Sequence, residues 1–158
     1  MRSTFWMVVT VLVLAPSAVF AQQGAADGEW RSFGGDLGST KYSGLDQIDA
    51  DNVDQLQVAW RRPVVDPSFR EMGPNLRFSN MSSAAPLIID GVGYVPNAIG
   101  LVEAFDITTG ASRWLQQPFG GSDDLRGAGT RGVAYWTDGS EARIISQRGE
   151  YLYALHPD

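Results

Sequence analysis

Few residues of this 158-residue chain carry chemistry by type alone. Asp123 and Asp124 are adjacent acids, but they stand in a Gly-rich stretch where such a pair is usually a solvated face. A calcium site would need six or more converging oxygens, which this stretch does not supply. The single histidine, His156, reads as a turn residue rather than a catalyst or ligand. Gly120-Gly121 and Gly127-x-Gly129 lack the spacing of a phosphate-cradling loop. What remains are ordinary polar donors, among which type and spacing single out none; Arg131, Ser83 and Gln147 are three of them. Arg131 carries a planar guanidinium able to grip a carboxylate or a pair of oxygens in bidentate fashion, although an arbitrary arginine is as often half of a surface ion pair. Ser83 can donate a hydrogen bond but no charge, and Gln147 can donate through its amide.

The elements that must position these donors are short strands. Pro86–Ile89 runs into Asp90-Gly91, a tight-turn dipeptide, and Val92–Pro96 resumes as a second strand. Leu101–Phe105, Ser112–Gln116, Gly132–Trp136, Arg143–Ser146 and Tyr151–Leu155 continue the rhythm. The one helical candidate is short, Asp51–Leu56, with Asp49 or Asp51 as its cap. Pro63–Ser83 and Phe119–Thr130 read as connections, and a loop as long as the first is functional or conceals an element. Repetition narrows the fold. Ala104-Phe105-Asp106 returns as Ala154-Leu155-His156, 50 residues on, and Trp60 and Trp114, each closing an apolar strand, lie 54 apart. Periods of this size with about four strands each are those of propeller blades. The expectation is an all-β chain forming two to three four-stranded blades.

Composition bounds the setting. Residues 1–21 combine Arg2, an apolar run from Phe5 to Leu14, a break at Pro16 and Val19-Phe20-Ala21 before a cleavage point. That is the layout of a secretory signal, and the run is short for a membrane span. Residues 22–158 would then be the mature chain, with no membrane span. There is no cysteine, so neither disulfides nor a thiol-linked lipid anchor is expected. Export without cysteine suggests the periplasm. The net charge of −6 and the scattered arginines argue against nucleic acid and anionic membranes as partners.

The sharpest motif is AFDITTGASRW, Ala104 to Trp114. Asp106 can bond the turn's backbone N–H groups, Gly110 can take a positive φ, and Trp114 offers a large apolar plate with one donor, suited to lying between blades. Written A-x-D-x-x-T-G-x-x-x-W, it resembles the tryptophan-docking motif of quinoprotein dehydrogenases, the family that uses pyrroloquinoline quinone (PQQ). Gly28–Trp60 resembles the mature N-terminus of that family, Ala84–Val95 its first inner hairpin, TRGVAYW (Thr130–Trp136) its strand near the cofactor, and RGEYLYAL (Arg148–Leu155) its next docking repeat.

The resemblance implies an eight-bladed propeller with PQQ on its axis, a bound calcium ion, and oxidation of a sugar, polyol or alcohol hydroxyl by hydride transfer to the quinone. It also implies a respiratory electron acceptor. Arg131 matches the family's cofactor-facing arginine, Ser83 a position often held by glutamate, and Gln147 a position often held by a cofactor-contacting threonine. Leu125 and Arg126 stand where alcohol-oxidising members have adjacent cysteines; with Ser83, this points to the sugar or polyol branch. The family's catalytic aspartate and calcium ligands are expected in later blades, so no catalytic or metal-binding residue is assigned here. The chain is expected to be an N-terminal fragment, inactive alone. The alternative is a non-catalytic propeller acting as an outer-membrane assembly scaffold, or a sensor.

Overall fold

The computed structural model describes residues 24–73, 84–119 and 131–158. The expected signal at 1–21, Ser83, Asp123, Asp124, Leu125, Arg126 and the glycines of 120–129 lie outside them. The described residues form two antiparallel sheets. The first contains β1 (Leu87–Ile89), β2 (Val92–Pro96), β3 (Val102–Asp106) and β4 (Ser112–Leu115), in that order. The second contains β5 (Ala134–Thr137), β6 (Ala142–Arg148) and β7 (Tyr151–Leu155), also in chain order. Two successive meanders make an all-β partial propeller of two blades, the second with three strands among the described residues.

Asp90 and Gly91 turn β1 into β2, both at positive φ (49° and 76°), as a tight hairpin connection demands. Register then sorts the faces. Leu87, Tyr94, Ala104 and Trp114 stand in one row across the first sheet. Ala104 is the small residue between two large rings, and Tyr94 and Trp114 meet over it with centroids 6.1 Å apart. This face packs against the second sheet: Leu87, Ile89, Val92, Tyr94, Val102 and Ala104 share one apolar core with Val133 and Ile144, flanked by Trp114, Tyr135 and Leu155. Such burial is the main favourable term holding sheet to sheet.

The opposite face carries Gly93 and Phe105, paired in register. A side chain on Gly93 would collide with the Phe105 ring, so the glycine makes room for it. Trp60 meets that ring edge-on at 5.6 Å, and the Arg62 guanidinium lies 4.7 Å from its centre. The first sheet is therefore covered on both faces.

Indoles tie these layers together. Trp60 Nε1 donates to the Ile107 carbonyl at 2.9 Å, and Trp114 Nε1 donates to the Pro157 carbonyl at 2.7 Å. Ile107 follows Asp106 as Pro157 follows His156, so the two bonds are one kind of contact repeated, with acceptors 50 residues apart and donors 54 apart. The Tyr94 hydroxyl also reaches the Pro157 carbonyl, at 3.2 Å. Burial, above all, pushes the Tyr94 phenol up and keeps its proton in place. The docking turn has the expected form: Asp106 Oδ1 accepts from Thr108 N, Thr109 N and the Thr109 hydroxyl, and Gly110 has φ +72°.

Several sequence expectations are corrected. Asp51–Leu56 is only a 3-10 turn over Val53–Gln55, entered from Asn52 with no side-chain cap; Asp49 instead accepts from Asp51 N. No buried residue anchors it, and a single turn cannot repay helix nucleation alone. Trp60 closes no strand: its segment is extended without ladder partners, held by its side chains instead. The supposed connection Pro63–Ser83 contains a helix, α1 (Pro67–Met72), with Pro at its first position and Asp66 as cap accepting from Ser68 N. Its Phe69 is fully buried with Val65, Ile99 and Leu101.

Two outcomes follow from the docking turn. Gly110→Ala would place a Cβ 2.6 Å from the Trp60 ring at a φ that L-residues resist; its urea midpoint should report a loss of about 2 kcal/mol or more. Asp36, Asp106 and Asp138 are each held below the usual carboxylate range, chiefly by backbone N–H donors from Thr40, Thr109 and Glu141 respectively. Their contribution is complete above the unfolded value of about 4 and is lost as pH falls through the depressed folded values. Urea midpoints should therefore drop below about pH 4, and Asp106→Asn should flatten that acid limb.

Candidate functional site

The first strands of the two sheets come together at one end. Ala85 and Gly132 form a parallel bridge, and Ala85 N donates to the Arg131 carbonyl at 3.1 Å. Arg131 thus precedes β5 at the junction of the sheets. Its side chain is exposed, and among the described residues no carboxylate pairs with its guanidinium.

β6 ends at the same place. Extending the β5–β6 register two residues beyond the Ala134–Ile145 pair sets Gln147 across from Gly132. Gln147 is exposed, and its amide donates to the Gly149 carbonyl at 2.7 Å across the β6–β7 turn. The structure therefore brings Arg131 and Gln147 to one end of one sheet. Ser83 lies outside the described residues. His156 is exposed after β7, where its Nδ1 accepts from Asp158 N at 3.3 Å.

The strand alternation in β6 buries Ile144, Ser146 and Arg148 on the face toward the first sheet. Arg148 is only 5% exposed, and its Nε donates to the Ile99 carbonyl at 2.8 Å. Sequence reading passed over this residue. The signal was present: counting alternate positions from the apolar Ile144 reaches Arg148 on the covered face. The Ser146 hydroxyl, between them, is buried without a hydrogen-bond partner among the described residues.

Ile99 belongs to a tightly fixed loop between β2 and β3. Asn97 Oδ1 accepts from Ile99 N and Leu101 N, both at 3.1 Å, and Asn97 Nδ2 donates to Glu103 Oε1 at 3.0 Å. Glu103 Oε2 pairs with Arg62 at 2.9 Å, and Arg62 continues to the Gly110 carbonyl at 2.6 Å. A buried polar relay thus joins the loop to the docking turn. The N-terminal arm reaches the same end: Trp30 exchanges both backbone hydrogen bonds with Ile88 on the free edge of β1, and the Arg31 guanidinium stands 5.6 Å from the Tyr135 ring centre.

Stapled meanders, complete docking turn and basic sheet junction are features of a quinoprotein propeller. The family model "PQQ: Glucose/ethanol/alcohol dehydrogenase, beta-propeller domain" matches residues 30–158, and the chain belongs to that family. It is 34% identical over 115 residues to the quinohemoprotein alcohol dehydrogenase of Comamonas testosteroni, covering 68% of this chain and 14% of the relative. It is 35% identical over 94 residues to the 1-butanol dehydrogenase (cytochrome c) of Thauera butanivorans, covering 60% and 12%. With the dehydrogenase subunit of the alcohol dehydrogenase (quinone) of Gluconobacter oxydans it shares 31% identity over 148 residues, covering 86% and 18%. The chain spans less than a fifth of the length of these relatives. Their names are those of alcohol dehydrogenases, which does not favour the sugar or polyol branch suggested by Ser83, Leu125 and Arg126.

Glu103→Ala would strip the largely buried Arg62 and the Asn97 amide of their shared acceptor. Breaking such a pair should cost about 3 kcal/mol by chemical denaturation, whereas Glu103→Gln, which keeps one acceptor oxygen, should cost less.

Proposed function

We propose that this chain is the N-terminal part of an exported, periplasmic PQQ-dependent dehydrogenase that oxidises an alcohol hydroxyl and passes the electrons to a respiratory acceptor. The observation that carries the reading is Arg131, an exposed guanidinium at the sheet junction with no carboxylate partner among the described residues. The donor set fits a tricarboxylic ortho-quinone. A guanidinium can hold a carboxylate or a quinone oxygen in its fork, and the Gln147 amide can supply a neutral donor from the same end. When bound, PQQ supplies the hydride acceptor that no side chain can provide.

The role of this segment is binding and orientation. Arg131 would fix charge and in-plane angle; Gln147 would add one hydrogen bond if its amide turns from the Gly149 carbonyl. Ser83 is assigned to the same task from its place in the sequence. Among the described residues no group of three or more acidic or histidine side chains could hold a metal ion. Calcium, on this reading, is held by residues outside this chain, and no step is assigned to it here. The base for the substrate hydroxyl is likewise assigned elsewhere, so the 158 residues alone would be inactive. The dehydrogenase names of the relatives support this reading over a scaffold or sensor.

The test uses the complete gene product and the 158-residue chain side by side, each given PQQ, calcium and a dye acceptor with primary alcohols and aldoses. The complete product should reduce dye with alcohols, and the short chain should not. Arg131→Ala in the complete product should weaken PQQ binding roughly tenfold or more, as expected for loss of a charge-assisted pair. Failure of the complete product to reduce dye with any hydroxyl substrate would overturn the proposal.

A further inference from the structure

Arg148 presents an energetic problem. It lies on the covered face of β6, 5% exposed, where alternation from Ile144 would accommodate an aliphatic side chain. Burying a guanidinium is costly unless it is paired and hydrogen-bonded, and a buried charged contact adds little net stability beside a well-packed apolar one. Adhesion between the sheets already comes from the apolar core of Leu87, Tyr94, Val133 and Ile144 and from the Trp114 staple. What an arginine adds to that core is direction: a rigid, planar donor that fixes its partner's distance and angle.

Its partner is itself immobilised. The Ile99 carbonyl belongs to the loop whose backbone N–H groups are tied to Asn97, whose amide is tied to Glu103, and whose Glu103 is tied to Arg62. The Ile99 side chain is packed from the other side by Phe69 of α1. At its own end, Arg148 is the last residue of β6, next to Gln147 and opposite Tyr151. A bond from Arg148 to Ile99 therefore joins the anchored loop of one sheet to the β6–β7 turn of the next, at the end where Arg131 emerges.

Resting on the function proposed above, we infer that Arg148 is a positioning residue for the quinone. Its buried guanidinium sets the β6–β7 turn, and with it Gln147, at a fixed separation from the first sheet, so that donors on neighbouring blades meet one rigid ligand. Arg148 does not touch the cofactor in this scheme. It acts through the turn, and its loss leaves both sheets folded while letting their ends shift against one another.

The experiment is a PQQ titration of the apo form of the complete gene product, with calcium present, followed by the quinone's absorption and fluorescence. Arg148→Met keeps an unbranched apolar stem and removes every N–H of the guanidinium. It should bind PQQ roughly tenfold or more weakly, with an altered bound-quinone spectrum, under conditions in which its circular dichroism shows it folded as the wild type is. Arg148→Lys, retaining one directed donor and the charge, should recover part of the affinity. Wild-type affinity and spectrum in Arg148→Met would overturn the inference. If the Met variant does not fold, the Lys variant decides: weakened binding with a changed spectrum supports the strut, and unchanged binding and spectrum overturn it. A wild-type protein that takes up no PQQ overturns the proposed function itself, and the inference with it. A wild type that binds beside a Met variant that binds equally overturns the strut alone.

Discussion

The arrangement depends on a single repeated hydrogen bond from an indole N–H to the carbonyl just after a docking-turn position. Trp60 makes it to Ile107 and Trp114 makes it to Pro157. Each indole spreads a large apolar surface where two layers meet and satisfies its only donor at the same point, so the packing is fixed in register as well as in area. The rest of the first sheet is cut to suit. Ala104 is small because Tyr94 and Trp114 converge over it, and Gly110 is bare because the Trp60 ring lies on it. The geometry at the sheet junction is tied to these constraints, because the Ala85–Gly132 bridge joins the two sheets beside the faces they stack together.

Polar groups are used differently on the two sides of the first sheet. Toward the second sheet the contact is largely apolar, with Arg148 as a buried cation crossing it. On the other side, Arg62, Glu103 and Asn97 form a relay that ends on one backbone carbonyl and two backbone N–H groups. Buried charge of this kind contributes little net stability compared with a hydrocarbon core, but it restricts the arrangements the segment can take. A binding surface assembled from different sheets needs that restriction, since each donor must meet the ligand within a fraction of an ångström.

Much of this was legible in the residues. The turn AFDITTGASRW announced its Asp106 bonds, its positive-φ glycine and its inter-sheet indole because each depends on local chemistry with few alternatives. The strand order followed from tight-turn dipeptides and the 50-residue repeat. Local reasoning failed where burial against chain about 30 or more residues away, or the want of it, made the decision. Asp51–Leu56 had helical composition but no burial to support it. Pro67–Met72 looked like loop because its justification, the burial of Phe69 against Ile99 and Leu101, lies in another part of the chain. Trp60 was read as a strand end when its role is that of a plate on a distant glycine. At the site, Arg131 and Gln147 could be singled out by motif, but their shared location required the β5–β6 register. Arg148 was hidden by its charge, which made a covered position look like a surface one.

The indole bonds also have a direction. Trp60 reaches 47 residues forward to the turn after β3, and Trp114 reaches 43 residues forward from β4 to the chain after β7, so the first sheet is clasped by one segment made before it and one made after it. The second sheet shows the complementary condition: Trp136 is 48% exposed and Leu152 74% exposed on the face turned away from the first. A layer of this kind keeps an apolar face uncovered until the chain that clasps it has been made. During synthesis, the period of greatest risk for such a chain is the interval in which its newest layer waits for the segment that will close over it.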